Sequence, residues 1–150
     1  MVRNALNEIY LHTYRKVLMD TIAIRLEPQQ DLKLELDAIA RQRNFEAACI
    51  VTCVGSLTQA VLRLAGQDSG TAYHDRFEIV SLVGTFSQYG SHYHMAIADS
   101  TGRTMGGHVM QGCLVYTTAE IVIGILPNIS FYRNYDATTG YRELVIHQHS

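Results

Sequence analysis

Apolar residues recur along the chain in two rhythms. From Leu18 to Leu26 they alternate with polar ones, which puts Ile22, Ile24 and Leu26 on one face of an extended strand. Pro28 stops that strand. After Asp31, a good N-cap, the spacing changes. Leu32, Leu36, Ile39 and Ala40 form the stripe of an amphipathic helix running to about Arg43, with Glu35, Asp37, Arg41 and Arg43 on its wet side. Ala47 to Val54 is apolar on both faces and predicts a central strand. Gly55-Ser56-Leu57 predicts a turn into a further strand, Gln59 to Leu64, and Gly66 to Arg76 a polar loop. Strand patterns resume in Phe77 to Phe86, His92 to Asp99 and His108 to Ile125, with Asp99-Ser100-Thr101-Gly102 as a hairpin turn. Asn128 to Gly140 reads as an aromatic, polar loop packed on a neighbour, and Tyr141 to Ile146 as a final edge strand. The first sixteen residues are either a short helix or an extended arm.

The pattern predicts an α/β fold of the α+β kind. One compact domain, residues 20–150, carries a largely antiparallel sheet flanked by one main helix, after an N-terminal extension of residues 1–19. A length of 150 residues with 47% hydrophobic and 17% charged side chains supports one buried core and excludes a disordered chain. The net charge of −2, with Lys16 and Lys33 the only lysines, excludes DNA binding through bulk positive charge. So apolar and weakly charged a chain is expected to hide surface between subunits. Cys49, Cys53 and Cys113 make no disulfide framework and read as small buried thiols in a reducing, cytoplasmic setting. Met1 to Tyr14 lacks the apolar centre of a signal peptide. Residues 79–98 lack Asp, Glu, Lys and Arg, but serines, Gln88, His92 and His94 interrupt them, so no membrane span is expected.

Histidine is the side chain most able to carry chemistry. On a strand, His92 and His94 project from one face, about 6–7 Å apart along the chain. The turn near Gly102 brings Gly106-Gly107-His108 back beside them. Three imidazoles with an open position can bind a divalent metal, zinc by default, or can simply line a hydrogen-bonded groove. His12 and His74 have no partners in sequence, and His147 and His149, near the C-terminal end, read as solvated. Asp75, Glu78, Asp99 and Glu120 are the acid–base candidates, and none forms a pair. Glu120, inside an apolar strand, reads as a structural, hydrogen-bonded carboxylate. Ser56 is not in a nucleophile elbow, and the glycines form no phosphate loop.

The ordered motifs resemble the PPC domain (plants and prokaryotes conserved). They are Arg25 with Asp31-Leu32; Gly55-Ser56-Leu57 with Ala60 and Leu62; Arg76-Phe77-Glu78-Ile79 with Ser81-Leu82 and Gly84-Thr85; His92-x-His94; then Gly102, Gly106-Gly107-His108-Val109, Gly112 and Thr118-x-Glu120. The resemblance spans about residues 20 to 125 and implies a compact, trimeric unit. In plant relatives the domain follows AT-hook DNA-binding segments and contacts other transcription factors through a Gly-Arg-Phe-Glu-Ile-Leu motif. The matching stretch here is Arg76-Phe77-Glu78-Ile79-Val80, with Asp75 replacing the glycine and valine the leucine. No AT hook is present, so the resemblance is to the prokaryotic, stand-alone type. Some of those relatives contain metal, and the matching residues are His92, His94 and His108.

The first expectation is therefore a homotrimeric, metal-binding protein without enzymatic activity, with a regulatory role and a protein partner at Arg76, Phe77, Glu78 and Ile79. Gly55, Ser56, Gly106, Gly107 and Glu120 are further candidates for shaping the site. The alternative is a metal-dependent, hydrolase-like enzyme using Glu78 or Glu120 as base. Direct DNA binding ranks last and would need Arg3, Arg15 and Lys16 gathered from three arms.

Overall fold

The computed structural model describes residues 19–149. The expected arm, with Arg3, His12, Arg15 and Lys16, lies outside the described residues. Eight strands and one helix follow: β1 (Asp20–Leu26), α1 (Leu32–Gln42), β2 (Ala48–Arg63), β3 (Thr71–Phe86), β4 (His92–Ala98), β5 (Thr104–Val109), β6 (Leu114–Ile125), β7 (Ile129–Asp136) and β8 (Tyr141–Gln148). Six strands form one antiparallel sheet in the order β1-β6-β2-β3-β4-β5. β7 and β8 form a separate hairpin. The fold is thus mostly antiparallel β with one short helix.

The sheet curls until its last strand meets its third. Leu62 and Arg63 at the end of β2 pair with Val109 and His108 of β5. The enclosed side holds the core, including Leu57, Leu62, Phe86, Tyr93, Ile97, Val109 and Val115. α1 adds Leu32, Leu36 and Ala40 to it, the stripe read from the sequence. Aromatic rings meet edge to face inside: Phe45 against Phe86 at 5.9 Å and Phe86 against Tyr93 at 5.2 Å. The Tyr93 hydroxyl donates to Asp37 Oδ1 at 3.0 Å, which ties β4 to the helix.

Four local expectations change. His108 to Ile125, read as one strand run, splits at a turn over Gln111 and Gly112 into the end of β5 and all of β6. Gly55-Ser56-Leu57 is not a turn, because β2 runs unbroken through it to Arg63. The three residues sit at irregular pairings with β6 and β3. Gly55 is needed there because a Cβ would overlap the Thr118 carbonyl of β6. Residues 71–76, read as part of a loop, begin β3, and Thr71 to His74 pair with Leu62 to Gln59. Asn128 to Gly140 contains β7, whose partner is the correctly expected final strand.

Candidate metal centre

β4 buries Tyr93, Met95 and Ile97 and turns His92 and His94 outward. The β4–β5 hairpin pairs His94 directly with His108, and the closure of the sheet pairs His108 with Arg63. One cross-strand row therefore reads His94, His108, Arg63, with His92 two residues along β4. Two glycines permit this crowding. A Cβ on Gly106 would lie 2.8 Å from the Met95 carbonyl oxygen, and one on Gly107 would lie 2.7 Å from that of Arg63. Asp99 holds the turn: one of its oxygens accepts from Thr101 N, Thr101 Oγ1 and Arg103 N, and the other from Arg103 Nε.

The three imidazoles converge. Their centroids are 4.9, 5.0 and 5.5 Å apart, and one nitrogen of each lies within 4.8 Å of the others. His92 Nε2 and His94 Nε2 are 3.1 Å apart, close to the about 3.3 Å edge of a tetrahedron with ~2.0–2.1 Å metal–nitrogen bonds. Nδ1 of His108 is buried and has no hydrogen-bond partner among the described residues. Burial pushes the His108 pKa down to about 4, helped by His92, Arg63, His94 and Lys33. Burial also lowers the His92 pKa, followed by the charges of His94 and Arg133. His92 and His108, both shifted toward the neutral form, and His94 close beside them fit a divalent ion.

A cavity of about 500 Å³ opens over the triad, and its lining includes Arg63, Tyr89, Arg133, Tyr141, Arg142 and Glu143. The β7–β8 hairpin supplies four of these. It is fixed to the sheet by Arg133, which donates to Thr85 Oγ1 at 2.8 Å, and by Tyr132 stacked on Tyr89 at 4.9 Å. These cavity residues escaped the sequence reading because the closure at Arg63 is long-range and β7 passed for a loop.

The other candidates lie elsewhere. Glu120 pairs with Arg25 and Val54 in the middle of the sheet, separated from β4 by β2 and β3. It is exposed, and its carboxylate makes no hydrogen bond or ion pair among the described residues, which corrects the structural, hydrogen-bonded reading. Glu78 is also outside the cavity; the lining carboxylate is Glu143. Ser56 Oγ meets Thr117 Oγ1 at 2.8 Å, a sheet contact. Phe77 and Ile79 point into the core, leaving Arg76 and Glu78 as the outward part of that stretch. Arg76 lies over the Tyr116 ring at 5.0 Å. Burial raises the Cys53 thiol to about 12 and the Cys113 thiol to about 11, so neither is a ready thiolate. His149 is exposed, and its Nε2 lies 2.6 Å from Ser130 Oγ, which donates to Glu46.

This curled antiparallel sheet with one helix and a histidine cluster defines a class of small α+β domains. The chain belongs to the Plants and Prokaryotes Conserved (PCC) domain family, whose profile matches residues 15–127. A hypothetical protein from Salmonella enterica has the same fold at a TM-score of 0.86 and 42% identity, covering 90% of this chain and 98% of that one. A metal-containing protein from Archaeoglobus fulgidus superposes at a TM-score of 0.72 and 21% identity, covering 88% and 99%. The bifunctional protein GlmU of a Synechococcus species is 48% identical over 123 residues, which is 82% of this chain. This chain spans about a fifth, 20%, of the length of that relative.

Proposed function

We propose that this PCC-family chain is a homotrimeric metal-binding protein in which His92, His94 and His108 hold a divalent ion, zinc. The observation that carries the reading is the meeting of one nitrogen from each of three imidazoles, with His108 Nδ1 buried and unpartnered among the described residues. The metal in the Archaeoglobus relative supports it. The trimer draws support from an open apolar sheet face that reaches Val83, the cross-strand neighbour of His94, so the centre lies near a subunit boundary. A regulatory protein partner would meet the outward groups Arg76 and Glu78.

Elemental analysis after chelator-free purification tests the metal assignment. Wild type is expected to hold about one zinc per chain and His94→Ala almost none. A wild type that stays empty after dialysis against zinc overturns it.

The cavity favours a second reading, an enzyme of the hydrolase type. The ion's share in such chemistry is Lewis acidity. Within the cavity Glu143, held by the Thr139 hydroxyl at 2.8 Å, is placed to accept a proton, a role for which Glu78 and Glu120 are badly placed.

A further inference from the structure

Three arginines face one small space in a chain with only 12 lysines and arginines among its 150 residues. Guanidinium groups stay charged at every pH at which the protein is folded, so gathering Arg63, Arg133 and Arg142 around one cavity carries an electrostatic cost. Glu143 is the sole carboxylate in the lining. Among the described residues no carboxylate lies within 4.0 Å of any of the three arginines. Their recorded hydrogen bonds are few. Arg133 donates to the Thr85 hydroxyl, Arg142 to the Arg133 carbonyl at 3.3 Å and Arg63 to the Gln67 carbonyl at 3.5 Å. Each guanidinium has five N–H donors in a planar fork, so most of this donor capacity is unused.

The hairpin arranges two of the three. Arg133 pairs with Leu144 and Tyr135 with Arg142, so the two arginines lie diagonally on one face of the hairpin. Both fall beyond residues 15–127, the part matched to the family. Arg63 enters from the sheet, beside His108. Arginine side chains on a solvated hairpin would ordinarily spread into water. Here they border the same about 500 Å³ as the imidazoles, a size that suits a small molecule and is too small for a nucleic-acid duplex.

We propose that the β7–β8 hairpin makes the histidine centre a receptor for a small oxyanion, a molecule bearing a carboxylate or phosphate group clasped by Arg133 and Arg142 with Arg63 contributed by the sheet. Planar, bidentate donation suits both groups. This inference rests on the metal reading only for the floor of the site; the arginine clasp belongs to the hairpin. The hairpin thereby sets which ligand the family's histidines meet.

Calorimetric titration of zinc-loaded protein with succinate, inorganic phosphate and the neutral analogue succinamide tests it. At least one anion is expected to bind saturably, and succinamide not to bind. The stronger of the two anions tells a carboxylate ligand from a phosphate. In Arg133→Gln/Arg142→Gln, affinity should fall about tenfold or more with zinc content unchanged. Should the double variant misfold by circular dichroism, Arg142→Gln alone, at an exposed position, should still weaken binding severalfold. Failure of both anions to bind, equal binding of succinamide, or an arginine variant that binds as wild type overturns the proposal. The two readings separate in His94→Ala. Arginine-dependent anion binding to a wild type and a variant both empty of zinc leaves the clasp standing and removes the metal. A zinc-filled wild type that ignores both anions does the reverse.

Discussion

Asp31 does two jobs with one carboxylate. Oδ1 accepts from the backbone N–H groups of Lys33 and Leu34 at 2.9 and 3.1 Å, capping α1. Oδ2 accepts from Gly112 N at 2.6 Å, tying the helix start to the turn before β6. Losing the cap costs about 1 kcal/mol, and an unpaired, part-buried N–H at Gly112 adds ~1–3 kcal/mol. Asp31→Ala should therefore lose about 2–4 kcal/mol in urea unfolding at fixed chain concentration, and Asp31→Asn less, since its carbonyl oxygen still caps. A loss below about 0.5 kcal/mol in Asp31→Ala would sink this account. The first of these roles was legible in the sequence, because an Asp before a helical stripe is a local signal. The second was not, because Gly112 lies 81 residues away. The histidines divide in the same way. His92 and His94 share a strand face by simple alternation, whereas Arg63 joins them only through the pairing of β2 with β5.

At the scale of elements, the β4–β5 hairpin is the piece that must be exact. Gly107→Ala puts a methyl group 2.7 Å from the Arg63 carbonyl oxygen, so β5 must move away from β2 and carry His108 with it. The expected result is a loss of about 1–3 kcal/mol together with weaker zinc binding by competition with a chromophoric chelator. Unchanged zinc affinity would show that the glycine does not position His108. The turn of the same hairpin should respond to acid. The Thr101 hydroxyl, with backbone donors from Thr101 and Arg103, lowers the Asp99 carboxyl from its ordinary 3.8 to about 2. A folded carboxyl that is the stronger acid stabilises fully above pH about 4, and that contribution fades as pH falls through 2. Thermal melting between pH 6 and pH 2 should therefore fall less steeply for Asp99→Asn than for wild type, from a lower starting point; parallel curves would contradict this. Asp99 was readable as a turn because its partners are two and four residues away. Gly55 misled because glycine marks both turns and close strand contacts, and only the neighbouring strand decides between them. β7 misled because its outer half, Arg133 to Asp136, is polar: Arg133 borders the cavity and Asn134 to Asp136 are exposed, so no apolar alternation marks it as a strand.

For the whole molecule, the question is what covers the outside of the sheet. Val51, Val54, Val80 and Val83 are 49–60% exposed on β2 and β3, central strands of the sheet. Valines at such positions suit a strand packed on both faces, as the doubly apolar Ala47 to Val54 already implied. The low charge of the chain points the same way, since an interface core is depleted in charge. Neither pattern states a subunit number; three comes from the family resemblance. Sedimentation equilibrium should give a species of three times the 16.8 kDa chain. Val54→Glu, which sets a carboxylate next to Glu120 of β6 as well as into the interface, should shift it to monomer. The variant must keep its far-ultraviolet spectrum for the result to count, and Val80→Glu on the neighbouring strand serves where it does not. A wild-type monomer would overturn the assembly. A trimer that survives both substitutions would place the contact elsewhere on the molecule and separate the histidine centre from the subunit boundary. If the trimer does form on this face, its loss should also weaken zinc binding, because Val83 lies directly across from His94 and the neighbouring subunit would help hold β4 in place.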